Sequence, residues 1–252
     1  MDIVQTFYDR MAPEYDKLFG DWRAEAHKQA LLLHKLFSDS GFGKTARILD
    51  CACGIGTQAI GLAAIGYPVT ASDVSDGALA EAARRAEENG VKIRFAHADF
   101  RALSGPFPER FDIVIAMDNA LPHMRTHDDL ESAVASIAGR VRPGGIFAAS
   151  IRDYDRLLEE KPPYSPPYIH KTDKGQRVSF QTWAWEEDHY RLIQYIIDDE
   201  GELRIGKYEC EYRATRRAEL TELLLEHGFG EAVWRFPEET GFYQPILVAR
   251  KR

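Results

Sequence analysis

Thr45-Ala46-Arg47-Ile48-Leu49-Asp50-Cys51-Ala52 runs directly into Cys53-Gly54-Ile55-Gly56-Thr57-Gln58-Ala59. The first half is apolar and reads as a buried strand. The second half is a glycine-bearing turn that opens a helix. Glycines let a backbone approach a ligand closely, and a helix start offers free N–H groups. A strand, a tight turn and a helix in immediate succession form the opening unit of an α/β fold.

Reading outward, the same alternation continues. Thr57–Ile65 is helix-like, Pro68–Ser72 is a short β-branched run, and Asp76–Glu88 is a helix stopped by Asn89-Gly90. Val91–His97 and Phe111–Met117 read as the third and fourth strands. Asp128–Val141 carries Leu130, Val134, Ile137, Ala138 and Val141 at helical spacing. Gly144-Gly145 then opens a fifth strand, Ile146–Ile151. Strands that alternate with helices predict a parallel sheet covered on both faces. Upstream, an aromatic helical segment extends to Asp39. Downstream of Arg152 the pattern changes, because the four prolines of Lys161–Tyr168 fix φ and remove donors. Arg177–Trp185, Tyr190–Asp198 and Leu203–Arg213 then read as an antiparallel meander. A helix, Arg217–His227, and two strands, Ala232–Phe236 and Pro245–Ala249, complete the chain. The expected organisation is a single domain over 1–252. It comprises a helical lid at 1–40, a core at 41–152, an antiparallel insertion at 160–214, and a C-terminal helix with the last two strands at 215–252.

Of the 252 residues, 44% are hydrophobic, enough for a substantial core. The formal net charge of −8 argues against a nucleic-acid surface. Apolar runs fall far short of the ~20 residues that cross a bilayer, and the N-terminus lacks a signal-peptide core. Cys51, Cys53 and Cys210 have no zinc spacing. The expectation is a cytoplasmic protein with no metal, no membrane partner and no nucleic-acid partner.

Read alone, Gly54-x-Gly56-x-x-Ala59 fits a dinucleotide fingerprint, and Asp73 ends the next strand about 20 residues on, where a ribose-binding acid belongs. Asp50, just before the turn, would repel a diphosphate and suits a cationic ligand without phosphate. Asp99-Phe100, after the third strand, can take an adenine amine beside an aromatic ring. Asp50, Gly54/Gly56, Asp73 and Asp99-Phe100, together with Arg142-Pro143-Gly144-Gly145, resemble the class I S-adenosylmethionine-dependent methyltransferases over residues 40 to 150. The resemblance implies a Rossmann-like fold with a mostly parallel seven-stranded sheet and an inserted antiparallel meander. It implies S-adenosyl-L-methionine as cofactor and S-adenosyl-L-homocysteine as product. It sets Asp50, Ala52, Gly54 and Gly56 around the methionyl part, Asp73 and Val74 at the ribose, and Asp99, Phe100 and Met117 at the adenine.

The fourth strand discharges Asp118-Asn119-Ala120-Leu121-Pro122-His123 at the topological switch region, where open α/β sheets bind ligands. The motif of DNA amino-methyltransferases is absent there, and Ser165-Pro166-Pro167-Tyr168 is a chance match in a proline-rich loop. Asn119-x-x-x-His123, Arg152-Asp153-Tyr154-Asp155, Gly20-Asp21-x-Arg23 and Tyr243-Gln244-Pro245 are similar to the glycine and glycine/sarcosine N-methyltransferases. That closer resemblance implies a small amine bearing a carboxylate as acceptor, in a possible homo-oligomer. It implies that Arg152 grips the carboxylate, with Asn119, Tyr8 and Tyr243 at the substrate and Asn119 and His123 as catalytic residues. Arg152 suits a carboxylate because its guanidinium is a planar fork; the competing reading is an ion pair with Asp153 or Asp155. His123 and Asp118 are both candidate bases, and capture of an already neutral amine would also work. The N-terminal aromatics Tyr8, Tyr15, Phe19 and Trp22 are expected to close over the cofactor, with Tyr15 and Trp22 touching it. Trp183, Trp185 and Tyr195 are expected to roof the acceptor pocket or make a subunit contact. Two positions depart from the family: Glu25 stands where animal members use an arginine, and Asp118 replaces a glycine. A nicotinamide-dependent oxidoreductase, O- or C-methylation of another small acceptor, and a non-catalytic sensor remain as alternatives.

Overall fold

The computed structural model describes residues 3–252. Met1 and Asp2, the first positions of the expected lid, lie outside them. Helices α1 (Ile3–Met11) and α2 (Trp22–Asp39) lead, joined by a 3-10 segment, Ala12–Leu18. Asp21 caps α2 by accepting from the Ala24 N–H, which gives the Gly20-Asp21 pair a local purpose. Next come β1 (Ile48–Asp50), α3 (Thr57–Ala64), β2 (Val69–Asp73), α4 (Asp76–Glu88), β3 (Arg94–His97), β4 (Phe111–Ala116), α5 (His127–Arg140) and β5 (Val141–Ser150). Helix α6 (Tyr154–Glu160) precedes four strands: β6 (Tyr168–Thr172), β7 (Gly175–Glu186), β8 (His189–Asp199) and β9 (Arg204–Arg213). The chain ends with α7 (Arg217–Glu226), β10 (Phe229–Arg235), a short α8 (Pro237–Thr240) and β11 (Ile246–Lys251).

The seven-stranded sheet has the order β10-β11-β5-β4-β1-β2-β3. Only β11 runs antiparallel to its neighbours. The alternating α/β pattern is therefore realised as a mostly parallel sheet. Its register explains the two cores. Ile48, Ile113 and Ile146 are paired across β1, β4 and β5 and face α2 and α3. Leu49, Val114 and Phe147 form the next row, which faces α5 and α7 through Leu130, Val134 and Leu224. Successive residues point to opposite faces, so strands buried on both sides must be apolar throughout. Each such side chain contributes roughly 2 kcal/mol by leaving water.

The insertion departs from the expectation in two ways. It has four strands rather than three, paired β6-β7-β8-β9 as a sheet of their own. The segment between Arg152 and the prolines is helical as α6, stopped at Glu160 with Lys161 in a left-handed conformation before Pro162. This second sheet builds a third core with α1 and α6, formed by Phe7, Met11, Tyr154, Leu157, Tyr190, Leu192, Ile196 and Tyr212. Sheet order reverses between β1 and β4, so the turns after Asp50 and Ala116 face each other across a crevice.

Candidate active site

The crevice holds a cavity of about 370 Å³, lined by Tyr8, Tyr15, Ala52, Gly54, Gln58, Asp73, Val74, Asp99, Phe100, Met117, Asp118 and His123 among others. Its first wall is the turn after β1. Gly54 has φ +52, and its N–H donates to Asp73 Oδ2 at 2.8 Å. The Ser75 N–H donates to Asp73 Oδ1 at 3.0 Å. Asp73 thus ties the first turn to the end of β2. Each oxygen keeps a lone pair for a hydroxyl donor. Burial pushes the Asp73 carboxyl up, against the backbone N–H groups that hold it down.

Asp50 is placed differently from the expectation. It is fully buried beneath the turn and does not line the cavity. Its Oδ1 meets the Ala52 N–H at 3.4 Å, and its Oδ2 has no partner. Burial pushes its pKa up to about 8. Repulsion of diphosphate therefore comes from the carboxylates that do line the cavity: Asp73, Asp99, Asp118 and Asp129. The basic lining residues, Arg101 and Arg125, are already paired, Arg101 with Asp99 and Asp129, and Arg125 with Glu211. Asp99 also accepts from the Arg101 N–H at 2.8 Å, so its charge is shared with a neighbour at the rim.

At the other end, β4 discharges Asp118 and Asn119, both left-handed at φ +55 and +69. Ser150, at the end of β5, holds this corner. Its Oγ accepts from the Asp118 N–H at 2.7 Å, and its carbonyl accepts from the Asn119 N–H at 3.0 Å. Asn119 Oδ1 accepts from the Arg152 N–H at 3.1 Å and from the Tyr154 hydroxyl at 3.0 Å. Its amide nitrogen is buried without a partner. The Arg152 guanidinium donates to Tyr190 Oη at 2.6 Å and to Gln181 Oε1 at 2.9 Å. It lies 5.0 Å from the Trp183 ring centroid and 5.5 Å from that of Tyr212. Every one of these partners is neutral. Asp153 and Asp155 instead pair with Arg217, so the internal ion pair weighed from the sequence does not form. Among the described residues, no acid pairs with Arg152.

His123 lines the cavity through its ring. One ring nitrogen, Nε2, meets Tyr8 Oη at 2.9 Å, and the ring packs on Tyr212 at 4.2 Å. Burial, helped by the nearby Arg152 charge, lowers its pKa to about 3. A neutral imidazole of such low basicity is a poor proton acceptor near neutrality. Asp118 accepts from the Tyr243 hydroxyl at 2.7 Å and from Gln58 Nε2 at 2.8 Å. Tyr243 closes on that carboxylate from outside, with 57% of its surface exposed.

Besides Asp50, two expected cofactor contacts, Trp22 and Gly56, do not line the cavity, and neither do Asn119, Arg152 and Tyr243, which were expected at the substrate. Trp22 is buried in packing: its indole N–H donates to Thr57 Oγ1 at 2.9 Å, and Arg85 lies over its ring. Gly56 caps α3 at φ +90, and a Cβ there would come within 2.7 Å of Ile60. Its glycine serves the packing of the turn rather than contact with a ligand. Tyr195 lies on the outer face of the second sheet, stacked on Phe180, whereas Trp183 and Trp185 face Tyr190. Sequence reading missed Gln58, Gln181, Tyr190 and Tyr212. Strand parity alone places Tyr190 and Tyr195 on opposite faces of β8, a signal available from the spacing.

The acidic, phosphate-hostile lining and the free lone pairs on Asp73 fit the hydroxyls, amines and sulfonium of S-adenosylmethionine better than any dinucleotide. A family model described as a methyltransferase domain matches residues 48–145. Glycine/sarcosine N-methyltransferase of Parasynechococcus marenigrum is 32% identical over 63% of this chain, an alignment that spans about half, 53%, of that relative. Glycine N-methyltransferase of Rattus norvegicus is 30% identical over 82% of this chain and 76% of its own length. A solved S-adenosylmethionine-dependent methyltransferase from Clostridium acetobutylicum superposes with a TM-score of 0.76 at 20% identity, over 97% of this chain and 98% of its own, a likeness of fold.

Proposed function

This chain belongs to the class I S-adenosylmethionine-dependent methyltransferases, and from that premise we propose that it methylates the nitrogen of a small amine bearing a carboxylate, of the glycine or sarcosine type. The observation that carries the reading is Arg152, a cation set among neutral hydroxyl, amide and ring partners with no acid of its own. A half-buried charge without a counterion is costly, and a ligand carboxylate relieves that cost. The partnerless Asn119 amide beside it is a second donor awaiting an oxygen. The names of the relatives agree with this choice.

Bound in the cavity, S-adenosylmethionine supplies a methyl group already activated on a sulfonium. Asp73 accepts the ribose hydroxyls, with Val74 beside it. Phe100 and Met117 flank the adenine, with Asp99 at the rim. Ala52 and Gly54 offer backbone to the methionyl part, and Tyr15 presents its ring to the cationic end. Tyr8 and Tyr243 narrow the acceptor end, and α1 with the 3-10 segment acts as a lid. The protein's main task is then alignment of acceptor nitrogen and methyl carbon, which can supply ~7–11 kcal/mol.

An acceptor screen with radiolabelled cofactor tests the reading. Glycine or sarcosine is expected to turn over, with amines that lack a carboxylate disfavoured by tenfold or more, the order of ~1.5–3 kcal/mol for a charged hydrogen bond. Turnover confined to phenols, sterols or carboxylate-free amines would overturn it.

A further inference from the structure

We propose that Asp118 is a catalytic residue: it receives the acceptor's ammonium group and takes the proton that must leave before nitrogen can attack. The proposal rests on the acceptor being an amine and is independent of the carboxylate on Arg152.

Two charges are left by the fold without opposite partners: Asp118, which lines the cavity, and Arg152, which lies against Tyr212 behind the lining residue His123. Arg152 has neutral partners only. Asp118 accepts from two neutral donors, Tyr243 and Gln58, and among the described residues no lysine, arginine or histidine pairs with it. Asn119, the chain neighbour of Asp118, accepts from the Arg152 N–H at 3.1 Å, so the two residues lie at the same corner of the fold. A cation and an anion at one corner, not paired with each other, match the two ends of a zwitterion. The carboxylate also sits where backbone strain holds it: non-glycine residues at positive φ cost of order 1–3 kcal/mol and cluster at functional sites.

The other ionisable groups of the lining are committed. Asp73 holds the first turn, Asp99 and Asp129 are on Arg101, and His123 stays neutral at a pKa of about 3. Cys51 and Cys53 are pushed up by burial. Gln58 gives one amide hydrogen to Asp118 and the other to Gln29 Oε1 at 2.7 Å, which fixes its orientation. Facing Asp118 are Gln58 from α3 and Tyr243 before β11 through hydrogen bonds, with the charge of Glu25 from α2 acting on it and its own charge acting on Tyr15 from the 3-10 segment and Asp50 at the end of β1. Burial first, then Glu25, pushes the Asp118 carboxyl up, while Gln58 and Tyr243 hold it down. A raised carboxylate is a better proton acceptor than an ordinary one.

The acceptor ammonium gives one proton to Asp118. The freed nitrogen lone pair forms the bond to the methyl carbon, while the carbon–sulfur bond breaks and its electron pair stays on sulfur. The product leaves as a methylated ammonium, and Asp118 returns its proton to water.

The test uses Asp118→Asn and Asp118→Gly. Both residue types tolerate the left-handed backbone, so both variants should fold. The full chain is loaded with S-adenosylhomocysteine and titrated calorimetrically with the best amine acceptor, in two buffers of different ionisation enthalpy at about pH 7. The wild type should release close to no protons on binding. The variants, able to take only free amine, should release about one per site. In turnover, the variants should lose about 100-fold in kcat/KM near neutrality and recover toward wild type as pH approaches the acceptor's own pKa. Variants with wild-type proton counts and a parallel pH profile overturn the proposal. So does a loss confined to S-adenosylhomocysteine affinity. A screen that finds no amine acceptor overturns it together with the Arg152 reading, whereas a preference for amines without carboxylates overturns only the latter.

Discussion

Arg152 presents a charge that nothing inside the fold neutralises, so its removal should be felt mainly by the acceptor. Arg152→Ala is expected to raise the acceptor KM by about 10–100-fold with much less change in kcat, because ~1.5–3 kcal/mol of charged hydrogen bonding is lost. Arg152→Lys should rescue little, since an ammonium lacks the fork. Steady-state kinetics, with cofactor affinity measured separately and unchanged, checks this. Asp50 makes a different prediction. Its folded pKa of about 8 lies above its ordinary 3.8, so its contribution to stability is complete below pH 3.8 and is lost as pH rises to 8. His123 runs the other way: its folded pKa of about 3 lies below 6.5, so stability is lost as pH falls beneath 6.5. Between these ordinary values the two slopes oppose each other, and above 6.5 only that of Asp50 remains. Asp50→Asn should therefore gain on the ligand-free wild type by roughly 1 kcal/mol per pH unit from about pH 6.5 to 8, read from denaturant melts. A difference that shrinks with pH would contradict the burial argument.

At the scale of elements, α1 is fastened to the start of α4 through the side chain of Asp9. Asp9 Oδ1 accepts from Ser75 Oγ at 2.6 Å and from the Gly77 N–H at 2.9 Å, at the start of α4. A Cβ at position 77 would meet the Asp9 backbone at 3.0 Å, so the glycine permits the approach. Asp9→Ala should cost roughly 1 kcal/mol, the worth of a cap, and much of that should appear as local opening of α1. Faster limited proteolysis of the N-terminal segment, with several-fold weaker cofactor binding, is the expected result. This tether joins residues far apart in the chain and leaves no local trace in the sequence. The strand, turn and helix around Asp50 were readable because apolar runs and glycines are local signals. Helix α6 was hidden beside four prolines, and β6 was hidden because it pairs with β7 only after them. Trp22 and Gly56 looked like ligand contacts because their residue types suit that role, but packing against Thr57 and Ile60 claims them. The neutral ring of Gln181, Trp183, Tyr190 and Tyr212 around Arg152 comes from strand register, which residue spacing does not encode.

At the scale of the whole molecule, a net charge of −8 and a cavity lined by carboxylates select a cationic cofactor over a polyanion. S-adenosylmethionine at 100 times its Kd should stabilise the fold by ~2.7 kcal/mol and raise Tm by about 5–10 °C, whereas NAD at the same concentration should leave Tm in place. Differential scanning fluorimetry decides between them. The second sheet has a hydrophobic core distinct from those that flank the seven-stranded one, and it supplies Gln181, Trp183, Tyr190 and Tyr212 around Arg152. On the reading proposed above, the choice of what is alkylated resides in residues 161–213, apart from the half that would hold the nucleoside.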